Sequence, residues 1–217
     1  MNSKIFGIGL SRTGTTSLSA ALEMLGFKSK HYPDFIMDNS SLITRLKARF
    51  NGNVWPIFKN VTWGSRNRLV LKKDEIGAWD ALSDTPVARF FKDLDRYYPG
   101  SKFIYTIRDM DDWLKSCKTF FFPTRFDYWL FSQLHFDLYG VNTFNRGRFM
   151  AGYEKHDQNI KSYFKKREKD LLIMNICGGE GWEKLCPFLK IDPPDKKFPH
   201  RFKSHEAGRK TRYPRMK

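Results

Sequence analysis

The sequence of 217 residues contains few cysteines and no long hydrophobic run. Its three cysteines, Cys117, Cys177 and Cys186, are too few and too widely spaced for a disulfide framework or a four-ligand zinc site. Each lies among apolar residues, which favours a packing role in a reduced compartment. No apolar stretch approaches the roughly 20 residues of a membrane-spanning helix. The first predicted strand begins too early to leave room for a signal peptide. The sequence therefore predicts a soluble, cytoplasmic protein.

Acidic residues are also in the minority. There are 23 Asp and Glu residues against 39 Lys and Arg, which gives a formal net charge of +16. Such a field attracts polyanions, which include nucleotides, nucleic acid, sulfated or phosphorylated substrates and acidic membrane surfaces. The hydrophobic content of 41% excludes a disordered chain, and this length most often forms one domain with a real core.

Two common nucleotide motifs each lack a central residue here. Gly9 and Gly14 have the glycine spacing of a Walker A motif, but Thr15 stands where that motif has its lysine. The dinucleotide fingerprint requires a third glycine three residues after Gly9, and that position is Arg12. These absences argue against ATP hydrolysis and against NAD binding.

The same stretch nevertheless has the order of a phosphate-binding turn. An apolar strand leads into a short polar loop, and a helix follows with Leu18, Leu22 and Leu25 on one face. Unpaired N–H groups and the helix dipole favour an anion at such a helix start. The alternative is an ordinary turn whose hydroxyls cap the helix. The predicted anion ligands are Ser11, Arg12, Thr13, Gly14, Thr15, Thr16 and Ser17.

Strands and helices alternate along the chain, which predicts an α/β three-layer sandwich with a mostly parallel central sheet. After the first strand, further strands are predicted at 27–32, 79–83, 102–108 and 171–176. Helices are predicted after the loop, at 34–50, 85–97, from 109, at 151–168 and at 182–189, and 51–77 is predicted irregular. We expect a single domain over 1–217, with a helical insertion at about 120–168 over the site and a basic tail at about 193–217.

A second candidate phosphate site follows the strand at 102–108. Arg108 ends this strand, and Ser116 lies eight residues later on the next helix. Both residues should face the edge of the sheet that carries the loop. An arginine there binds a phosphate bidentately, and the serine adds a donor. The alternative is an ion pair between Arg108 and Asp109 or Asp111.

At this point the sequence resembles the PAPS-dependent sulfotransferases. Ser-Arg-Thr-Gly-Thr-Thr-Ser at 11–17 is similar to their 5′-phosphosulfate loop, and Arg108 with Ser116 is similar to their 3′-phosphate site. The resemblance covers most of the chain and points to a short sulfotransferase branch with a P-loop-like α/β fold. The motifs that carry it are Asp-Ala-Leu-Ser-Asp-Thr-Pro at 80–86, Tyr-Pro-Gly-Ser-Lys-Phe-Ile at 98–104, Gly-Trp-Glu-Lys-Leu-Cys-Pro-Phe at 181–188 and Phe-Pro-His at 198–200.

The resemblance implies in-line transfer of a sulfonyl group from PAPS to a hydroxyl or amine of a small-molecule or glycan acceptor, without a metal. Arg12 replaces a lysine found in many relatives, so it is expected to contact the bridging oxygen, while Thr15 and Thr16 stabilise charge on the leaving phosphate. The Arg-Lys-Gly segment of many relatives is not matched cleanly, because Gly208-Arg209-Lys210 has another order.

A base is required to take the acceptor's proton. Asp84 is the first candidate, since it ends a short strand at the predicted site edge; its alternative role is N-cap of the helix at 85–97. His31 at the end of the second strand is the alternative base, although a surface histidine is the simpler interpretation. His135 and His156 lie in helical segments and are expected to be structural.

Two other functions compete with this one. A small P-loop kinase requires Mg²⁺ and ATP, and the missing lysine argues against it. A nucleic-acid-binding module requires basic and aromatic residues interleaved on one face. The basic residues here are dispersed, so no nucleic acid is expected as a partner.

Overall fold

The computed structural model describes residues 3–33, 73–121, 129–141 and 143–201. The helix predicted at 34–50, the segment 51–72 and the tail beyond residue 201, with Arg209 and Lys210, lie outside the described residues.

Short strands alternate with longer helices. The strands are β1 (Ile5–Gly7), β2 (Ser29–His31), β3 (Ala81–Ser83), β4 (Lys102–Thr106) and β5 (Leu171–Met174). The helices are α1 (Thr15–Met24), α2 (Lys73–Gly77), α3 (Thr85–Tyr97), α4 (Met110–Phe120), α5 (Trp129–Tyr139), α6 (Arg146–Phe164) and α7 (Trp182–Leu189). Two 3₁₀ turns, Glu168–Asp170 and Ile176–Gly178, flank β5.

The five strands of the described residues form one sheet in the order β2-β3-β1-β4-β5, and every neighbouring pair is parallel. All carboxyl ends of the strands therefore lie at one edge. From β1 the chain turns first toward β2 and β3 and later toward β4 and β5, so the strand order reverses at β1. Such a switch point is where open parallel sheets bind ligands.

Helices cover both faces of the sheet, which confirms the predicted three-layer α/β sandwich. On one face Leu18 and Leu22 of α1 pack with Leu185 of α7 against Ile5 and Ile104. On the other face α3 and α6 cover the sheet through a cluster of large buried side chains, which includes Phe6, Val87, Phe90, Phe91, Leu94, Phe103, Ile160 and Phe164.

A third buried cluster lies between α4, α5 and α6, beyond the carboxyl ends of the strands. Trp113, Tyr139 and Phe149 are its largest members, and the rings of Tyr139 and Phe149 stack at 4.0 Å between centroids. His135, expected to be structural, is buried here and its ring lies edge-on to Phe121 at 4.5 Å.

The structure corrects two predictions about single elements and one about a cysteine. The helix predicted as polar over 151–168 begins at Arg146, where the Asn145 side chain caps it, and ends at Phe164; it buries a full stripe of side chains at helical spacing. Residues 73–77 are helical rather than irregular, and Ile76 anchors them in the core. Cys177 is exposed rather than packed among apolar residues.

In the described parts of the chain, no helix is long and apolar enough to cross a membrane.

Candidate functional site

The carboxyl edge of the sheet collects the polar residues singled out in the sequence. The loop of residues 8–14 follows β1, His31 ends β2, Asp84 follows β3, and Arg108 comes two residues after β4. The backbone turn at 176–178 follows β5 at the same edge. Residues far apart in sequence are thus neighbours at the point where the strand order reverses.

Residue 9 of the loop lies so close to Thr106 at the end of β4 that only glycine fits there. A Cβ at Gly9 would lie 1.9 Å from Thr106 Oγ1 and 2.6 Å from the Thr106 carbonyl oxygen. The Thr13 hydroxyl donates to the Leu10 carbonyl at 2.7 Å and meets the Thr106 hydroxyl at 2.7 Å. Thr13 is fully buried. The Thr13 hydroxyl therefore faces inward and braces the loop, and the role of Thr13 as an anion ligand stays a prediction.

The upper side of the loop ends in a helix start with unpaired donors. Gly14 adopts a left-handed conformation with φ 100°, and a Cβ there would lie 3.1 Å from Ile176 Cβ. Among the residues that the structure describes, no side chain caps α1. Within the described residues, the N–H groups of Gly14, Thr15 and Thr16 have no hydrogen-bond acceptor. They carry the positive end of the α1 dipole, which suits an anion.

Arg12, Arg108 and Ser116 converge beside the loop. Arg12 Nε donates to Ser116 Oγ at 3.0 Å, and its guanidinium lies 4.7 Å from the centre of the Phe120 ring. Arg108 donates through Nη1 to the Arg12 carbonyl at 3.2 Å. Burial is the largest effect on the pKa of Arg12 and lowers it. The structure brings the two predicted phosphate sites together, with Arg12 as the link between them.

Arg108 does not form the alternative ion pairs. Asp111 pairs with Arg146 at 2.7 Å, and the Asp109 side chain caps α4 by accepting from the Asp112 N–H. Among the described residues, the buried Nε of Arg108 has no hydrogen-bond partner. A guanidinium nitrogen in this state is costly to bury and is suited to an anionic ligand.

Three aromatic side chains form hydrogen bonds to the backbone of the loop and of Arg108. Trp113 Nε1 donates to the Ser11 carbonyl at 3.0 Å, and the Tyr153 hydroxyl bonds both the N–H and the carbonyl of Arg108 at 3.2 and 3.1 Å. His156 Nε2 donates to the Ile8 carbonyl at 2.8 Å. Burial lowers the pKa of His156, so it serves as a neutral donor.

Sequence reasoning missed the supporting roles of Trp113 and Tyr153, whereas His156 was expected to be structural and is buried against the Ile8 carbonyl. The available signal was the spacing of Phe149, Tyr153 and His156, which places them on one face of a helix. The charged residues between them obscured this pattern.

His31 and Asp84 lie side by side next to the helix start. His31 Nε2 is 3.1 Å from Asp84 Oδ2, and it is 3.2 and 3.1 Å from the hydroxyls of Thr15 and Thr16. The His31 side chain is 31% exposed and that of Asp84 only 6%. His31 is therefore a member of this cluster rather than an isolated surface histidine.

Asp84 precedes α3, but its carboxylate does not cap that helix. Oδ1 accepts from Ser11 Oγ at 2.7 Å and from Thr85 Oγ1 at 3.3 Å, and the Ser11 and Thr85 hydroxyls are also in contact. The Asp84 backbone has φ 87° and ψ −174°, a conformation almost confined to glycine. The fold thus maintains a strained residue in order to aim this carboxylate at His31 and the loop.

The strain at Asp84 predicts that a glycine at this position gives a more stable protein than an alanine does. Asp84→Gly and Asp84→Ala both remove the carboxylate, but only alanine retains the Cβ that disfavours this conformation. Strain of this kind costs about 1–3 kcal/mol. We therefore expect the glycine variant to exceed the alanine variant by about 1 kcal/mol or more in free energy of unfolding, measured by urea denaturation. An alanine variant of equal or greater stability would contradict the strain.

The start of the C-terminal segment also reaches the site. The Arg201 N–H donates to Ser17 Oγ at 2.9 Å, and the Ser17 hydroxyl is buried. Phe198 packs against Trp182 at 4.7 Å between ring centroids, and Trp182 Nε1 donates to the Lys196 carbonyl at 2.7 Å. The segment leading to residue 201 is thus fastened to α7 and ends at the first turn of α1.

Comparison with known proteins agrees with this geometry. Residues 4–207 match the family model described as a sulfotransferase domain. The chain is also 30% identical over 219 residues to the Aspergillus versicolor protein called Ava biosynthesis cluster protein M, an alignment that covers 91% of this chain and 80% of that protein. The family match spans nearly the whole chain and includes every site residue described above. The chain therefore belongs to the sulfotransferase domain family.

Proposed function

We propose that this protein transfers a sulfonyl group from PAPS to a hydroxyl or amine of a small-molecule acceptor. The observation that carries the proposal is the convergence of the unpaired α1 start with Arg12, Arg108 and Ser116. One helix start holds any phosphate, but two adjoining cationic positions fit a nucleotide phosphorylated at both the 5′ and 3′ positions. The family match over 4–207 also supports one domain over 1–217.

Three features of the site fit such a nucleotide. A Cβ at Gly9 or Gly14 would meet close neighbours, so glycine at both positions lets the loop backbone pack tightly beneath a bound anion. The N–H groups that begin α1 lack acceptors among the described residues, and so does the buried Nε of Arg108. Both sets are donors, and a phosphate offers only acceptors.

PAPS, when bound, supplies the sulfonyl group: its bond to the bridging oxygen breaks, a bond to the acceptor oxygen or nitrogen forms, and PAP leaves with the electron pair. The N–H groups and hydroxyls of Thr15 and Thr16 neutralise charge at the 5′ end, which is the usual catalytic contribution in such transfers. Arg108 and Ser116 hold the 3′ end. Arg12 lies between the two ends, and the His31–Asp84 pair takes the acceptor's proton.

The acceptor class rests on the relative. That fungal protein is named for a biosynthesis cluster, and this name supports a small-molecule acceptor for the present chain. In the described residues, no group of three or more His, Cys, Asp or Glu side chains is arranged to hold a metal ion. The proposed chemistry relies on the N–H groups and arginines for charge neutralisation.

Calorimetric titration separates this function from the kinase alternative. We expect PAP to bind more tightly than ATP with Mg²⁺, because Thr15 replaces the lysine that P-loop kinases use and because Arg108 and Ser116 match a 3′-phosphate. Preference for ATP with Mg²⁺, or no binding of either nucleotide, would overturn the proposal.

A further inference from the structure

The structure separates the roles of His31 and Asp84, which the sequence leaves as alternative bases. β2 pairs with β3 so that His31 lies opposite Ser83, and the Tyr32 N–H donates to the Ser83 carbonyl at 2.9 Å. This pairing fixes His31 directly beside the residue that follows Ser83, which is Asp84.

Asp84 is enclosed and already engaged on both oxygens. Ser11 and Thr85 donate to Oδ1, and His31 Nε2 lies 3.1 Å from Oδ2. The Asp84 side chain is nearly inaccessible, whereas about a third of the His31 side chain reaches solvent. A buried carboxylate that holds one imidazole nitrogen fixes the tautomer and stabilises the imidazolium, as in the Ser-His-Asp triad. Asp84 is thus a positioning residue, and His31 is the group able to meet an acceptor.

The same imidazole lies against the first turn of α1. Its Nε2 is within 3.2 Å of the hydroxyls of both Thr15 and Thr16. An anion bound at this turn of α1 attracts a cationic imidazole beside it. Among other charged groups of the described residues, Arg12 interacts electrostatically with Asp84, and Lys30 lies over the Trp79 ring at 5.7 Å.

We infer that His31 takes up a proton when PAP binds the loop, so that the PAP complex holds more protons than the free protein. With Nε2–H donating to Asp84 Oδ2, the proton is added at Nδ1. During turnover this proton comes from the acceptor hydroxyl or amine, and it leaves the protein together with PAP. The inference rests on the proposed function and adds a proton linkage to it.

Calorimetry in several buffers tests the linkage without turnover. PAP is titrated at about pH 7.5 into wild type and His31→Gln in buffers of different ionisation enthalpy. The slope of the observed enthalpy against that ionisation enthalpy gives the protons taken up. PAP phosphates titrate as well, so the difference between the two proteins is the quantity of interest. We expect wild type to take up a substantial fraction of a proton more than His31→Gln.

Asp84→Asn provides the second variant, because its amide keeps the size of the carboxylate but does not stabilise an imidazolium. It should bind PAP with less proton uptake than wild type. Equal slopes for wild type and His31→Gln, with PAP bound by both, would overturn the inference and leave the proposed function standing. Failure of wild type to bind PAP would overturn the proposed function and the inference with it. If His31→Gln does not fold, wild type against Asp84→Asn decides by the same slopes.

Discussion

Arg108→Ala is expected to weaken PAP binding by about 2–4 kcal/mol, which corresponds to about 30- to 900-fold in Kd. The guanidinium lies beside Arg12 and the helix start, and its buried Nε has no partner among the described residues. Removing it leaves the 3′-phosphate with Ser116 and Arg12 as its remaining partners. Calorimetric titration with PAP measures the loss directly.

Arg96→Ala is the matched control for this change. Arg96 is 75% exposed, pairs only with Asp93 in the described structure, and lies near the end of α3 away from the loop. The Arg96→Ala substitution removes the same charge from the protein and leaves the site intact. The affinity for PAP should therefore stay near the wild-type value. Equal weakening in both variants would mean that overall charge, rather than a contact made by Arg108, controls binding.

Gly9→Ala is expected to cost about 3 kcal/mol or more in free energy of unfolding, at the upper end for overpacked sites. The new Cβ would lie 1.9 Å from Thr106 Oγ1 and 2.6 Å from the Thr106 carbonyl oxygen. One neighbour is a side chain held by Thr13 and the other is strand backbone, so neither moves cheaply. Denaturation by urea gives the magnitude.

Gly77→Ala serves as the control for Gly9→Ala. A Cβ at Gly77 meets nothing within 4 Å, and the residue is the exposed end of α2. Its stability should change by less than about 1 kcal/mol. If Gly9→Ala is tolerated as well as Gly77→Ala, the loop is not packed against β4 as described.

Proline and glycine residues at helix ends made some elements predictable from the sequence. α3 runs from Thr85 to Tyr97 as predicted, because Pro86 opens it and the Pro-Gly pair after Tyr98 closes it. α7 spans Trp182–Leu189 as predicted, since glycine precedes it. The fold class followed from the alternation of such elements. In contrast, α6 buries Phe149, Tyr153 and Ile160 among exposed charges, and its cap at Asn145 was not recognised.

The parts of the site that are formed by residues close together in sequence could be predicted. The loop after β1 and the pair Arg108 and Ser116 were identified because each lies within a short stretch. The contacts between them were not predictable, since they join residues about one hundred positions apart. His31 was underestimated for the same reason, because its partner Asp84 comes from another strand. The inward direction of the Thr13 hydroxyl was not predicted, because the residue type alone does not show where a side chain points.

The central claim is that one site holds both phosphates of a 3′-phosphorylated nucleotide. The most direct test is to titrate the wild-type protein with PAP and with adenosine 5′-monophosphate, which differ only in the 3′-phosphate. The arrangement of Arg12, Arg108 and Ser116 predicts that PAP binds at least about 30-fold more tightly. Equal affinity for the two nucleotides would contradict it.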